Sequence, residues 1–174
     1  MILMDPRLRR LQGEIESVSR GMTDQQWSWH PPGKWSASEV LEHLYLTYTG
    51  TTKGFSRVME AGEPTVTAPT WKQRVGKIVV LGFAHMPAGR EAPKMARPRG
   101  LPTEKVVGEI ASRIAEMDDM IRQCESKFGS GELLDHPVMG PLSGRQWRKF
   151  HLVHGLHHIQ QVRSLKQRFE TATR

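Results

Sequence analysis

The chain has 174 residues, of which 37% are apolar and 25% charged, so it fits one globular domain and is not a disordered polypeptide. Its net charge of +7 would suit a nucleic-acid-binding protein. However, the 25 lysines and arginines are spread along the chain, without an arginine-rich tract, a zinc finger or an aromatic RNA-binding motif. We therefore predict that nucleic acid is not a partner.

The sequence gives no sign of a membrane or a secretory pathway. It contains no apolar run of about 18 residues, the length that spans a bilayer. The N-terminal segment lacks the charged start, apolar centre and small-residue cleavage site of a signal peptide. We predict a cytoplasmic protein without a membrane partner. Cys124 is the single cysteine and lies on an apolar helical stripe, which indicates a buried, inert thiol.

The first helix is predicted from Pro6 to Gly21. Its apolar residues recur at alternating steps of three and four, as on one helical face: Leu8, Leu11, Ile15, Val18 and Met22. In the next segment, Trp27 to Trp35, two prolines and a glycine exclude a regular helix, and three tryptophans provide bulk. We expect this segment to plug one end of the domain.

The second helix has a well-specified start. Ser36 can cap it, and Glu39, three residues later, can bond back to form a capping box. The helix is predicted to run to about Met59, with His43 at the edge of its apolar stripe. Glu39 lies one turn before His43 and has two interpretations: half of the cap, or a carboxylate or base that supports a site at His43.

The connection between the second and third long helices is unusually long. Residues 71–84 hold an apolar cluster that predicts a short helix, with a strand as the alternative. Residues 87–102 are predicted to be irregular, because they contain four prolines and two glycines. They form either a mobile basic loop or a device that attracts an anionic substrate. A single Glu91 there opposes four basic residues: Arg90, Lys94, Arg97 and Arg99.

The third long helix is predicted from Thr103 to Gly129. Its stripe alternates in steps of three and four: Val107, Ile110, Ile114, Met117, Ile121, Cys124 and Phe128. Asp135 to Gly144 is predicted to be a turn-rich loop. The last helix should then run from about Ser143 to Glu170.

The last helix carries four of the eight histidines of the chain. At about 100° per residue, His154 and His158 lie one turn apart on one face, the spacing at which two imidazoles can share one metal ion. His151 shares their stripe and is a candidate fourth ligand or proton shuttle, whereas His157 points away. The pattern predicts a metal site whose third ligand comes from elsewhere in the chain.

Two further residues of this helix support that prediction. Gly155 lies between the two histidines and would allow another element to approach closely. Gln161 lies one turn beyond His158, where it could contact a ligand or the substrate.

Two motifs together resemble a known family. WSASEVLEHL at the start of the second helix is followed, some 110 residues later, by HGLHHIQQ. This combination resembles the DinB/YfiT-like superfamily of metal-dependent enzymes, with its tryptophan-serine helix start leading to a histidine and its last helix carrying H-x-x-x-H-x-x-Q. The match places a metal-binding triad on His43, His154 and His158, with Gln161 in the trailing position.

The resemblance implies an all-α fold, a four-helix bundle with a long crossover, and a divalent metal, zinc or nickel, at one end. It also implies a homodimer and an enzyme that acts on a small molecule, anionic or a thiol, by hydrolysis or thiol transfer. The alternative is a non-catalytic metal- or ligand-binding bundle. The candidate catalytic residues are Glu39, His151 and Gln161. The connection over residues 71–102 exceeds what a minimal bundle needs and leaves the substrate class open.

Overall fold

The computed structural model describes residues 3–84, 86 and 92–173, which are mostly helical with one small sheet. In chain order the elements are α1 (Pro6–Ser19), α2 (Asp24–Ser28), α3 (Ala37–Ala61), α4 (Trp71–Lys77), α5 (Thr103–Phe128), β1 (Glu132–His136), β2 (Gly140–Ser143) and α6 (Gly144–Ala172). A π-helical turn (Ile78–Gly82) extends α4, and a 3₁₀ turn (Lys94–Ala96) precedes α5. None of the described helices has the length and apolar character needed to cross a bilayer.

The long helices α1, α3, α5 and α6 share one buried core. Helix α3 packs against α5 and α6, and α1 packs against the same two helices. The predicted stripe of α1 is buried at four of its five positions: Leu8, Leu11, Ile15 and Val18. The short helix α2 takes in Trp27 and Ser28, so the segment predicted to lack a helix is irregular only after these two residues.

The predicted stripe of α5 is buried from Ile110 to Cys124. The observed stripe begins at Val106, one residue before the predicted first position. Val107 was predicted to face the core and is 38% exposed, whereas Val106 is buried. The reason is helical phase, because a residue four before Ile110 lies about 40° from it and a residue three before lies about 60° away. Cys124 is buried as predicted, and burial is the main cause that raises the pKa of its thiol.

The prediction of a turn-rich loop from Asp135 to Gly144 is correct for the turn at residues 137–139 and wrong for the residues on either side of it. The chain forms an antiparallel hairpin there, in which Leu134 pairs with Leu142 and His136 pairs with Gly140. Short strands form because Leu133 and Leu142 are fully buried in the core, an interaction that the Pro- and Gly-rich composition concealed. Gly140 takes a positive φ of 67° at the end of the turn.

The crossover from α3 to α5 carries the predicted helix, since α4 and its π-helical turn cover most of residues 71–84. Of the predicted irregular stretch, residues 92–102 are irregular apart from the 3₁₀ turn, which packs against α3. Residues 87–91, with Arg90 and Glu91, lie outside the described part of the chain.

Candidate metal centre

His43 occupies a rigid position near the start of α3. Ser36 caps this helix: its hydroxyl accepts a hydrogen bond from the Glu39 N–H at 3.3 Å, and the Glu39 carboxylate accepts one from the Ser36 N–H at 2.8 Å. The indole ring of Trp35 lies 5.3 Å from the imidazole of His43. The structural interpretation of Glu39 is therefore observed directly, and its role as a base remains a prediction.

Helix α6 approaches its neighbours closely at Gly155. A Cβ atom at this position would clash with the side chain of Leu11 on α1 and lie 3.2 Å from the hydroxyl of Tyr48 on α3. The close approach predicted for Gly155 is therefore present. It brings the middle of α6, where His154 and His158 lie, against the helix that carries His43.

The three histidines predicted as ligands meet at a single point. The Nε2 atom of His154 lies 3.2 Å from Nε2 of His43 and 3.1 Å from Nε2 of His158. All three side chains are buried, with exposed fractions of 4%, 7% and 9% for His43, His154 and His158. Among the described residues this is the one group of three histidine, cysteine or acidic side chains positioned to hold a metal ion.

Hydrogen bonds at the far side of two rings fix which nitrogen is available. Nδ1 of His43 lies 2.7 Å from the Ala96 carbonyl oxygen, which can only accept, so Nδ1 carries the proton. Nδ1 of His158 lies 2.8 Å from Oε1 of Gln161, and the amide nitrogen of Gln161 donates to Nε2 of His157 at 3.0 Å. In the neutral rings of His43 and His158, Nε2 is therefore a lone-pair acceptor that faces His154.

This arrangement fits a divalent metal. A neutral His154 could donate to one of the two facing lone pairs at best, which would leave a repulsive contact inside the protein. Zinc-imidazole bonds of about 2.0–2.1 Å at tetrahedral angles place the nitrogens about 3.3 Å apart. Nε2 of His154 lies 3.1 and 3.2 Å from the other two Nε2 atoms, and all three ligand atoms lie within 4.8 Å of one another. A cation that accepts all three lone pairs resolves the conflict.

The charge state of the rings favours metal binding as well. Burial lowers the pKa of His43, and the hydrogen bond to Ala96 opposes this effect in part. Burial is also the main cause that lowers the pKa of His158 to about 3. Burial, followed by the neighbouring imidazoles of His158 and His43, lowers the pKa of His154 well below its usual value. All three rings are therefore neutral at pH 7 and present lone pairs without first losing a proton.

His151 lies one turn before His154 but outside the group of converging nitrogens. Its ring is fully buried, packed between Trp147, Phe150 and the edge of Tyr48. Within the described residues neither ring nitrogen has a hydrogen-bond partner, and the same is true of the Tyr48 hydroxyl. The structure thus places His151 beside the candidate metal centre without a contact that shows how it would act as a ligand or shuttle.

Replacing His151 by leucine is expected to stabilise the protein by about 1–3 kcal/mol, the cost of leaving a buried polar group unpaired. His136→Leu is the matched control and should destabilise the protein. Nδ1 of His136 accepts hydrogen bonds from the N–H groups of Val138 and Met139 at 3.1 and 3.3 Å, which leucine cannot replace. Urea unfolding at pH 7.5 measures both changes. Destabilisation by His151→Leu would contradict the expectation and indicate an ordered water or ligand at this imidazole.

Sequence reasoning missed three participants near this centre. His136 is half-buried beside Phe150, but it lies on the hairpin, where no helical spacing could associate it with α6. The Ala96 carbonyl that bonds to His43 is a backbone group, which carries no sequence signal. Glu42 is buried next to His43, and no motif of the sequence singled it out.

The fold and the site define a class: a mostly helical protein with three buried histidines whose geometry suits a divalent metal. Residues 5–165 match the model of the family described as protein of unknown function (DUF1569), and the chain belongs to that family. No curated protein and no solved structure matches the chain.

Proposed function

We propose that this protein is a metal-dependent enzyme of the DinB/YfiT-like type, built on a four-helix bundle with a long crossover. His43, His154 and His158 would hold one divalent metal, zinc or nickel, through their Nε2 atoms. The observation that carries the proposal is the meeting of three neutral imidazole nitrogens, two of which have their proton fixed on the far side of the ring.

Three imidazole ligands are typical of catalytic zinc sites, which keep a position open for water or substrate. Such a metal acts as a Lewis acid, lowers the pKa of water toward about 7, or stabilises a thiolate. The proposed reaction is therefore hydrolysis or thiol transfer on a small molecule. Gln161 would contribute by keeping the Nδ1 proton on His158, which is an orienting role alongside the catalytic one predicted from the sequence.

The basic side chains of the crossover favour an anionic substrate. Its 3₁₀ turn is held against His43 through Ala96, and the flanking side chains of Lys94, Arg97 and Arg99 are exposed. Clustered positive charge beside a site raises the local concentration of anionic ligands. A carboxylate- or phosphate-bearing substrate is the class that this charge favours.

The proposal is tested by metal content, measured by mass spectrometry on protein purified without a histidine tag. The wild type is expected to carry about one zinc or nickel ion per chain, since three imidazoles complete one site. His43→Ala, His154→Ala and His158→Ala should each lose most of it. His30→Ala is the matched control, because His30 is exposed and lies outside the group of three converging histidines. A wild type without stoichiometric metal, even after addition of zinc or nickel, would refute the proposal.

A second function is a non-catalytic metal- or ligand-binding bundle, and the burial of the triad favours it. With at most 9% of each histidine exposed, little surface is open to a substrate. Turnover of ester, amide and thiol-conjugation substrates, with and without a chelator, separates the two. Chelator-sensitive turnover would establish the enzyme, whereas stoichiometric metal without turnover of any of these substrates would support the binding protein.

A further inference from the structure

The crossover is fastened to α3 at two adjacent residues. The Glu42 carboxylate accepts hydrogen bonds from two consecutive backbone N–H groups, that of Arg99 at 2.7 Å and that of Gly100 at 3.1 Å. The next residue of the helix, His43, donates from Nδ1 to the Ala96 carbonyl at 2.7 Å. Segment 96–100 is therefore held at its end by Glu42 and at its beginning by His43.

The chemistry of Glu42 indicates that these contacts are specific. We call the two hydrogen bonds from the backbone of Arg99 and Gly100 to the Glu42 carboxylate the clasp. Its side chain is only 2% exposed, and a buried carboxylate is costly unless hydrogen bonds satisfy it. Each of its two oxygens accepts one of the paired N–H groups. Gly100 contributes through its backbone, since its φ of +82° lies in the left-handed region that side-chain-bearing residues avoid.

The clasp fixes the carbonyl group that meets His43. Ala96 ends a 3₁₀ turn in which its own N–H donates to the Pro93 carbonyl at 2.8 Å, so the chain is constrained before Ala96. Glu42 constrains it again after Ala96, at residues 99 and 100. With both sides held, the Ala96 carbonyl stays opposite Nδ1 of His43 and keeps the proton there. Nε2 then keeps the lone pair that points to His154 and His158.

We propose that Glu42 is a positioning residue for the three-histidine site, acting through segment 96–100 and the Ala96 carbonyl to hold His43 in its Nδ1–H tautomer. This inference rests on the proposed function for its consequence, metal affinity. Its structural content, the tautomer of His43, is a property of the metal-free protein. Partners that orient a metal-binding histidine in this way typically change metal affinity by about 10–100-fold when removed.

Two variants test the clasp from opposite sides. Glu42→Gln replaces one accepting oxygen by an amide group that cannot accept from the backbone N–H facing it. Gly100→Ala leaves Glu42 intact and forces the Gly100 N–H to move, because alanine is strained at this φ; it should still fold, since its Cβ would meet nothing within 4 Å. Gly62→Ala is the matched control, with a φ of +77° and equally open space at the end of α3.

The first measurement is the tautomer of His43, read from the ¹⁵N chemical shifts of its ring in metal-free protein. We expect the Nδ1–H form in the wild type and in Gly62→Ala, and a substantial Nε2–H population in Glu42→Gln and Gly100→Ala. The second is the dissociation constant for zinc, obtained by competition with a chromophoric chelator. We expect it to rise about 10–100-fold in the two clasp variants and to stay within about twofold in the control.

The outcomes separate the clasp from the function on which it rests. An unchanged His43 tautomer in folded Glu42→Gln and Gly100→Ala overturns the positioning role, whatever the metal affinity. A changed tautomer in a protein that binds no zinc supports the positioning role and refutes the proposed function. A changed tautomer with unaltered zinc affinity overturns the claim that Glu42 matters for the metal.

Discussion

Lowering the pH from 7 to 5 is expected to remove most of the stability of the metal-free protein. Burial lowers the pKa of His136 to about 4, and lowers the pKa values of His151 and His158 to about 3 each. In the unfolded chain a histidine titrates near 6.5, so between 6.5 and these lower values the unfolded state binds more protons than the folded state. Stability contributed by these rings is therefore complete above about pH 6.5 and falls as the pH decreases.

The expected effect is large compared with the stability of an ordinary domain. At pH 5 each ring contributes a loss of about 2 kcal/mol, hence about 6 kcal/mol for the three, against a typical domain stability of roughly 5–15 kcal/mol. The lowered pKa values of His43 and His154 act in the same direction. Urea unfolding between pH 7.5 and 4.5, in the presence of a chelator, measures the slope.

Two variants identify the source of this acid sensitivity. His151→Leu removes one titrating ring and should reduce the loss between pH 7 and 5 by about 2 kcal/mol. His30→Leu should leave the dependence of stability on pH unchanged, because His30 is exposed in the folded protein and unfolding changes its surroundings little. A stability that stays flat from pH 7 to 5 in the wild type would mean that these imidazoles are not buried in their neutral form.

The parts of the structure that follow local rules were predictable from the sequence. Helix spacing located α1, α3, α5 and α6, and the capping box placed the start of α3 at Ser36. The one-turn spacing of His154 and His158 placed both rings on one face. Their partner His43 came from a family resemblance, because no local pattern connects residues 43 and 154, and the structure brings all three together.

The parts that depend on tertiary contacts were not predictable in the same way. Helical spacing assigned His151 to the same face as His154 and His158. In the structure only His154 and His158 converge with His43. The hairpin forms because Leu133 and Leu142 reach the core, which depends on where the helices leave space. Glu42 reaches its backbone partners across more than fifty residues of chain, so its role appears only once the crossover is folded.

Replacing Asp118 by alanine is expected to destabilise the protein by about 3–5 kcal/mol, because it would leave a buried arginine without its closest partner. Asp118 is 2% exposed, and its Oδ1 accepts from Nε of Arg148 at 2.6 Å. Its Oδ2 accepts from the backbone N–H of Asp5 at 2.8 Å, the cap of α1. One carboxylate therefore joins α5 to the starts of α1 and α6. Urea unfolding at pH 7.5 measures the loss.

The neighbouring residue provides a matched control. Asp119 also forms an ion pair, with Arg122 at 3.0 Å, but its side chain is 52% exposed, so Asp119→Ala should cost no more than about 1 kcal/mol. The double variant Asp118→Leu/Arg148→Met removes both members of this ion pair and should recover much of the loss, since Asp118→Ala leaves Nε of Arg148 without its acceptor while Nη1 keeps its bonds to Glu125. Equal losses of stability for Asp118→Ala and Asp119→Ala would show that burial does not strengthen the ion pair of Asp118 with Arg148. The start of α6, from which the helix runs on to His154 and His158, would then be held by its other contacts, such as the ion pair of Arg148 with Glu125, and not by Asp118.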